Sequence, residues 1–140
     1  MADTTNRPAL GLPVLALVGL ALLAAPRVVL HDLGVLREGT FVNALFVFVP
    51  LVVWVVVVVR ARVPNPFLTL LVVGALYGVV LAVGHQLLWD ANFPDGTPGA
   101  SAAVMRSATV VSSLFTGVLV GAVTGLVAWG IGKLVRPRSS

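Results

Sequence analysis

Residues 41–60 read FVNALFVFVPLVVWVVVVVR. No charge interrupts Phe41–Val59, and Arg60 closes the run sharply. A helix needs roughly 20 such residues to cross a hydrocarbon core of about 30 Å. The β-branched stretch Val55–Val59 would suggest a strand in a water-soluble protein. In lipid, however, every backbone group must find its partner within the protein. This run is too long and too uniformly apolar for an alternating barrel strand. It is therefore expected to be a membrane-spanning helix, with Pro50 predicting a kink and a locally unpaired carbonyl.

Three more runs have the same character, at about 9–30, 67–89 and 109–135, and none of the four has an acid in its interior. Pro13 is tolerable in the opening turn of the first. Met1–Ala25 superficially resembles a signal peptide, but the apolar run outlasts a typical h-region and no small-x-small site precedes Pro26. It is expected to be the first span. The fold expected is thus all-α, an integral membrane four-helix bundle forming a single domain over residues 1–140.

Composition agrees. Of 140 residues, 59% are hydrophobic and 10% charged, against about 25% charged in an ordinary soluble protein. A soluble domain of this size could not hide so much apolar surface, and disorder needs low hydrophobicity. The formal charge of +4 reflects scarce acids, since Asp3, Asp32, Glu38, Asp90 and Asp95 are the only five. The bases sit at the ends of apolar runs and form no aromatic-laced patch, so no nucleic-acid partner is expected. The absence of cysteine excludes disulfides, thiolate metal sites and thiol catalysis. Every glycine cluster lies inside an apolar run, so phosphate loops are absent too.

Arg7, Arg60, Arg62, Lys133, Arg136 and Arg138 fall on one side of a four-span chain, and Arg27, Arg37 and Arg106 on the other. Four of the five acids and both histidines share that second side. The bias predicts a multi-pass cell-membrane protein with both termini cytoplasmic. A dual-topology dimer would need a weaker bias.

The outer connections carry more pattern than the inner one. Pro26 is expected to break the first helix. Beyond it, Arg27, His31, Gly34 and Glu38 share one helical face and Val29, Leu33 and Leu36 the other. This predicts a kinked or interfacial helical extension after span one. Turn formers fill residues 92–99, and Thr97-Pro98 could cap a segment leading into the fourth span.

Helix association in lipid relies on close packing of small residues. Ser113, Gly117, Gly121 and Gly125 recur every four residues in span four, and Gly74 and Gly78 in span three. These stripes join the two spans within one chain, or serve a homo-oligomer or larger membrane complex; both readings stay open for span four.

Polar residues inside spans are functional candidates by default. Arg27, Asn43, His85 and Gln86 lie at similar depth near the outer surface, with His31, Asp32, Glu38 and Asp90 expected just outside them. His85 shares a face with Gly74, Gly78 and Leu81 and should point inward. His31, Asp32, His85 and Asp90 could bind a metal or relay protons. The blander alternative has His85 and Gln86 bonding to neighbouring helices, and Arg27 pairing with Asp32, Glu38 or Asp90 while reaching outward. The spacing supports no defined metal site, cofactor or catalytic residue. Trp89 and Trp129 are expected at the interfaces, whereas Trp54 and Tyr77 lie deeper and need partners.

The set His31-Asp32-Leu33-Gly34, Glu38-Gly39-Thr40, Pro64-Asn65-Pro66-Phe67, Tyr77-Gly78 and His85-Gln86-Leu87-Leu88-Trp89 resembles small, uncharacterised four-span bacterial membrane proteins, over roughly residues 26–90. The resemblance implies no activity. Small multidrug exporters are of similar size, but their buried acid in the first span is missing. The polar filter pattern of four-span fluoride channels is not evident either. The first functional expectation is a non-enzymatic assembly or accessory component in the lipid bilayer. The alternative is a small transporter or channel using the outer polar cluster. An intramembrane enzyme is disfavoured, because no acid–base pair lies within any expected span.

Overall fold

A computed structural model describes residues 9–97, 99 and 101–135. These residues form helices α1 (Val14–Leu23), α2 (Ala25–Asp32), α3 (Phe41–Arg60), α4 (Pro66–Leu87), α5 (Trp89–Asn92) and α6 (Ala102–Val135), and no strand occurs among them. Four stretches are long and apolar enough to cross a membrane: Val14–Asp32, Phe41–Arg60, Pro66–Leu87 and Ala102–Val135.

The first span is divided at Ala24. α1 starts after Pro13, and α2 resumes with Pro26 in its first turn. Proline has no N–H to offer the carbonyl four residues back. The disturbance reaches further, because the Ala24 N–H bonds to Ala21 and not to Leu20. The Leu20 carbonyl accepts the indole N–H of Trp54 at 2.7 Å. Trp54 is fully buried and packs edge-on against Tyr77, ring centres 5.8 Å apart. It therefore ties α3 to the break in the first span. Trp54→Phe keeps the ring but leaves that carbonyl without its donor. The expected cost is about 1–3 kcal/mol, seen as a lower unfolding midpoint in detergent. An unchanged midpoint would show that the bond contributes nothing.

α3 runs through Pro50 without interruption, capped by the Thr40 hydroxyl. Arg62, in the left-handed region at φ 50°, helps reverse the chain, and Asn65 Oδ1 caps α4 by accepting from Leu68 N at 3.0 Å. α6 starts seven residues before the expected Thr109. Ser101 Oγ accepts from Val104 N at 3.4 Å, so Ser101 caps the first turn of the helix. Pro98 lies outside the described residues. The 34 residues of α6 extend about 51 Å at 1.5 Å each. That exceeds a hydrocarbon core; Gly125 already faces Phe67, the second residue of α4, so the last ten residues of α6 run past the start of α4.

α4 contacts all the other spans. Its seam with α6 brings backbone against backbone. A Cβ on Gly74 would strike Gly117 and Gly121, one on Gly117 would strike Gly74 and Gly78, and one on Gly121 would lie 2.6 Å from the Leu70 carbonyl. Gly78 faces Ser113 and Leu114, and Gly125 faces Phe67. The two small-residue stripes thus occupy each other within one chain. Gly19, Gly130 and Gly132 face open space.

Gly11, at φ 70°, presses on Val63 and Pro64, which sets the start of the first span beside the α3–α4 turn. Val58, Val63 and Pro66 share a cavity of about 420 Å³ with Gly132 and Val135, so the end of α6 lies there too. Arg60, Arg62 and Lys133 therefore gather at one end of the molecule. Arg27, Arg37, Arg106, both histidines and the four described acids belong to the other half. Arg7, Arg136, Arg138 and Asp3 lie outside the described residues.

Candidate functional site

The polar residues at the end opposite Arg60, Arg62 and Lys133 are positioned by the approach of α2 to α4. Gly84 has no side chain, and a Cβ there would lie 3.0 Å from Val28 Cγ1. Val28 can therefore come in close, and Asp32, one turn later on the same face, meets His85. α2 buries Val28 and Asp32, whereas Val29 and Leu33 are exposed. The helix also continues to Asp32, so this acid lies within the first candidate span and not outside it.

His85 donates Nδ1–H to Asp32 Oδ2 at 2.6 Å. The Asp32 side chain is wholly shielded, while His85 is 24% exposed. His31 Nδ1 lies 3.4 Å from Asp32 Oδ1, and its Nε2 lies 3.4 Å from Glu38 Oε1. Gly34, at φ 70°, turns the chain after α2, which lets Glu38 come back to His31. The result is a line of four groups from the exposed Glu38 through His31 and the buried Asp32 to His85. An acid–base pair thus exists inside the spans, contrary to the sequence-based expectation. Among the described residues no hydroxyl bonds to either imidazole.

Asp90 does not join this line. Its side chain is fully exposed and stands 4.0 Å from Arg106 Nη2. The four-ligand set with His31, Asp32 and His85 therefore does not assemble. Among the described residues no group of three His, Cys, Asp or Glu could hold a metal ion.

Gln86 points to a different neighbour from His85, since successive residues of a helix diverge by about 100°. It donates to the Arg106 carbonyl at 3.3 Å and accepts from Arg106 Nη1 at 3.4 Å. The Arg106 guanidinium also lies 4.7 Å from the Trp89 ring centre. Trp89 packs on Phe93 at 4.8 Å and is 5% exposed, so it is buried and not displayed at the interface. Trp129 is half exposed, with Lys133 Nζ 3.7 Å above its ring. Arg106 is the polar residue that sequence reasoning missed. Its signal would have been Ser101 as a helix cap, which moves Arg106 into α6.

Arg27 corrects a second expectation. It pairs with none of Asp32, Glu38 and Asp90, and no described acid forms an ion pair with it. Arg27 Nε donates to Asn43 Oδ1 at 3.3 Å, and Asn43 is held in the first turn of α3 by the Thr40 cap. The guanidinium also lies beside the Tyr77 hydroxyl. Arg27 and Tyr77 line a cavity of about 140 Å³ together with Phe46, Leu51, Thr116 and Val120. The sequence-derived cluster therefore resolves into three groups: Asp32 with His31 and His85, Gln86 and Asp90 on Arg106, and Arg27 with Asn43 and Tyr77.

No protein-family model matches the chain, and no curated protein or solved structure matches it either.

Proposed function

We propose that this chain is a multi-pass cell-membrane protein with both termini cytoplasmic, a non-enzymatic assembly or accessory component built as a four-helix bundle. The apolar packing of the half that holds Arg60 carries this reading. Below the level of Tyr77, Val58, Val63, Leu70 and Val73 are fully buried, and α4 meets α6 through glycine backbone. Such packing gives water or ions no continuous polar route. The bases at the Arg60–Arg62 end support a cytoplasmic assignment for that end. The exposed Leu33, Val35 and Phe41 support a kinked extension resting in the outer interface. Contact with a second copy or a larger partner would use surfaces other than the α4–α6 seam, and Gly130 and Gly132 are open to it.

Proteoliposome flux tests this. Reconstituted protein should pass protons and chloride no faster than protein-free vesicles. The Glu38–His31–Asp32–His85 line favours one rival, proton-linked transport. Flux above background that disappears in His85→Ala would replace the accessory reading with that one.

A further inference from the structure

We propose that the cavity beside Arg27 is a binding site for one small, weakly hydrated monovalent anion of the halide type. The first reason is charge. The charge of a guanidinium is permanent, and charges within membrane spans normally pair with other charges or with backbone carbonyls. Arg27 belongs to the first candidate span, and among the described residues it has only neutral partners, Asn43 and Tyr77. The nearest acid in sequence, Asp32, turns its oxygens to His31 and His85.

The second reason is depth. Tyr77 stands ten residues before the end of α4, or about 15 Å along the helix. Because the guanidinium reaches Tyr77, it points into the protein instead of snorkelling to the headgroups. A lipid phosphate at the interface is poorly placed to neutralise it.

The third reason is the supply of donors. A guanidinium has five N–H groups, and the bond to Asn43 leaves others available. The Tyr77 hydroxyl lines the same cavity beside Arg27 and can donate into it. Thr109, Ser112 and Thr124 donate back to carbonyls of their own helix. Thr116, which lines the cavity, makes no such bond. Phe46, Leu51 and Val120 form apolar walls, which suit an anion that sheds water readily. The cavity of about 140 Å³ admits a monatomic ion together with a few waters.

Binding of radiolabelled chloride to the intact protein, purified in neutral detergent, tests the site. Saturable binding of one chloride per chain is expected, displaced by bromide and not by sulfate. Arg27→Gln should abolish it. Thr116→Val removes one donor while keeping shape and charge, and should weaken binding about tenfold or more. Thr116 lies outside the glycine seam, so this variant decides the matter if Arg27→Gln does not fold. No saturable binding, or unchanged affinity in Thr116→Val, would overturn the proposal. Displacement of chloride by phosphatidylglycerol would also overturn it, reassigning Arg27 to a lipid headgroup.

Discussion

Gly121→Leu is expected to prevent α4 and α6 from closing and to leave the protein unfolded or aggregated in detergent. A Cβ at Gly121 already meets the Leu70 carbonyl at 2.6 Å and the Gly74 Cα at 2.9 Å. Both obstacles are backbone, so no rotamer change relieves the collision. Overpacking against side chains costs about 1–3 kcal/mol, and against backbone in a seam this close the cost should exceed about 4 kcal/mol. Gly130→Ala is the matched control. It lies on the same helix with nothing within 4 Å of the added atom, and should leave stability unchanged or raised. Size-exclusion profiles and unfolding midpoints of the two variants check the contrast. Equal behaviour would mean that the glycine spacing does not hold the two spans together.

The second large effect is expected at Asp32. Its carboxylate is wholly shielded and accepts a 2.6 Å bond from His85, across two spans. Removing one member of a buried pair typically costs about 3–5 kcal/mol, because the other loses its partner in a medium that cannot solvate it. Asp32→Ala should fall in that range. Asp32→Asn keeps an acceptor for the His85 N–H and should lose less. His31 is 32% exposed and its contact is 3.4 Å, so His31→Ala should cost under about 1 kcal/mol. Denaturant titrations of the three variants give the order. A His31→Ala loss as large as that of Asp32→Ala would contradict the assignment of His85 as the principal partner.

The spans were legible because a bilayer imposes one length and one composition, and Phe41–Val59 meets both without ambiguity. Arg60 and Asp90 marked where apolar runs end, and the spacing of Gly117, Gly121 and Gly125 displayed a close helix contact. The partner of that stripe was not legible. Periodicity says that a face is small but not which helix covers it, and only the contacts of Gly74 with Gly117 and Gly121 identify it. Helix ends were harder than helix middles. Pro26 announced a break, but the chain resumes helix at once, which carries Asp32 into the first span. The turn formers before Gly99 drew attention from Ser101, and α6 gained about two turns with Arg106 on them. The side-chain partnerships of Arg27, His85 and Gln86 join residues 16, 53 and 20 positions apart. No local pattern encodes such distances, so the charge balance suggested a carboxylate for Arg27 where the fold supplies an amide and a phenol.

The chain contains no cysteine, which makes single-cysteine labelling clean. Arg62→Cys places a thiol in the α3–α4 turn, and Asp95→Cys places one between α5 and α6. A membrane-impermeant maleimide added to intact cells should label position 95, and should reach position 62 only after the membrane is opened. Labelling of both positions from the same side of an intact membrane would contradict four crossings, as would recovery of the protein in the detergent-free soluble fraction.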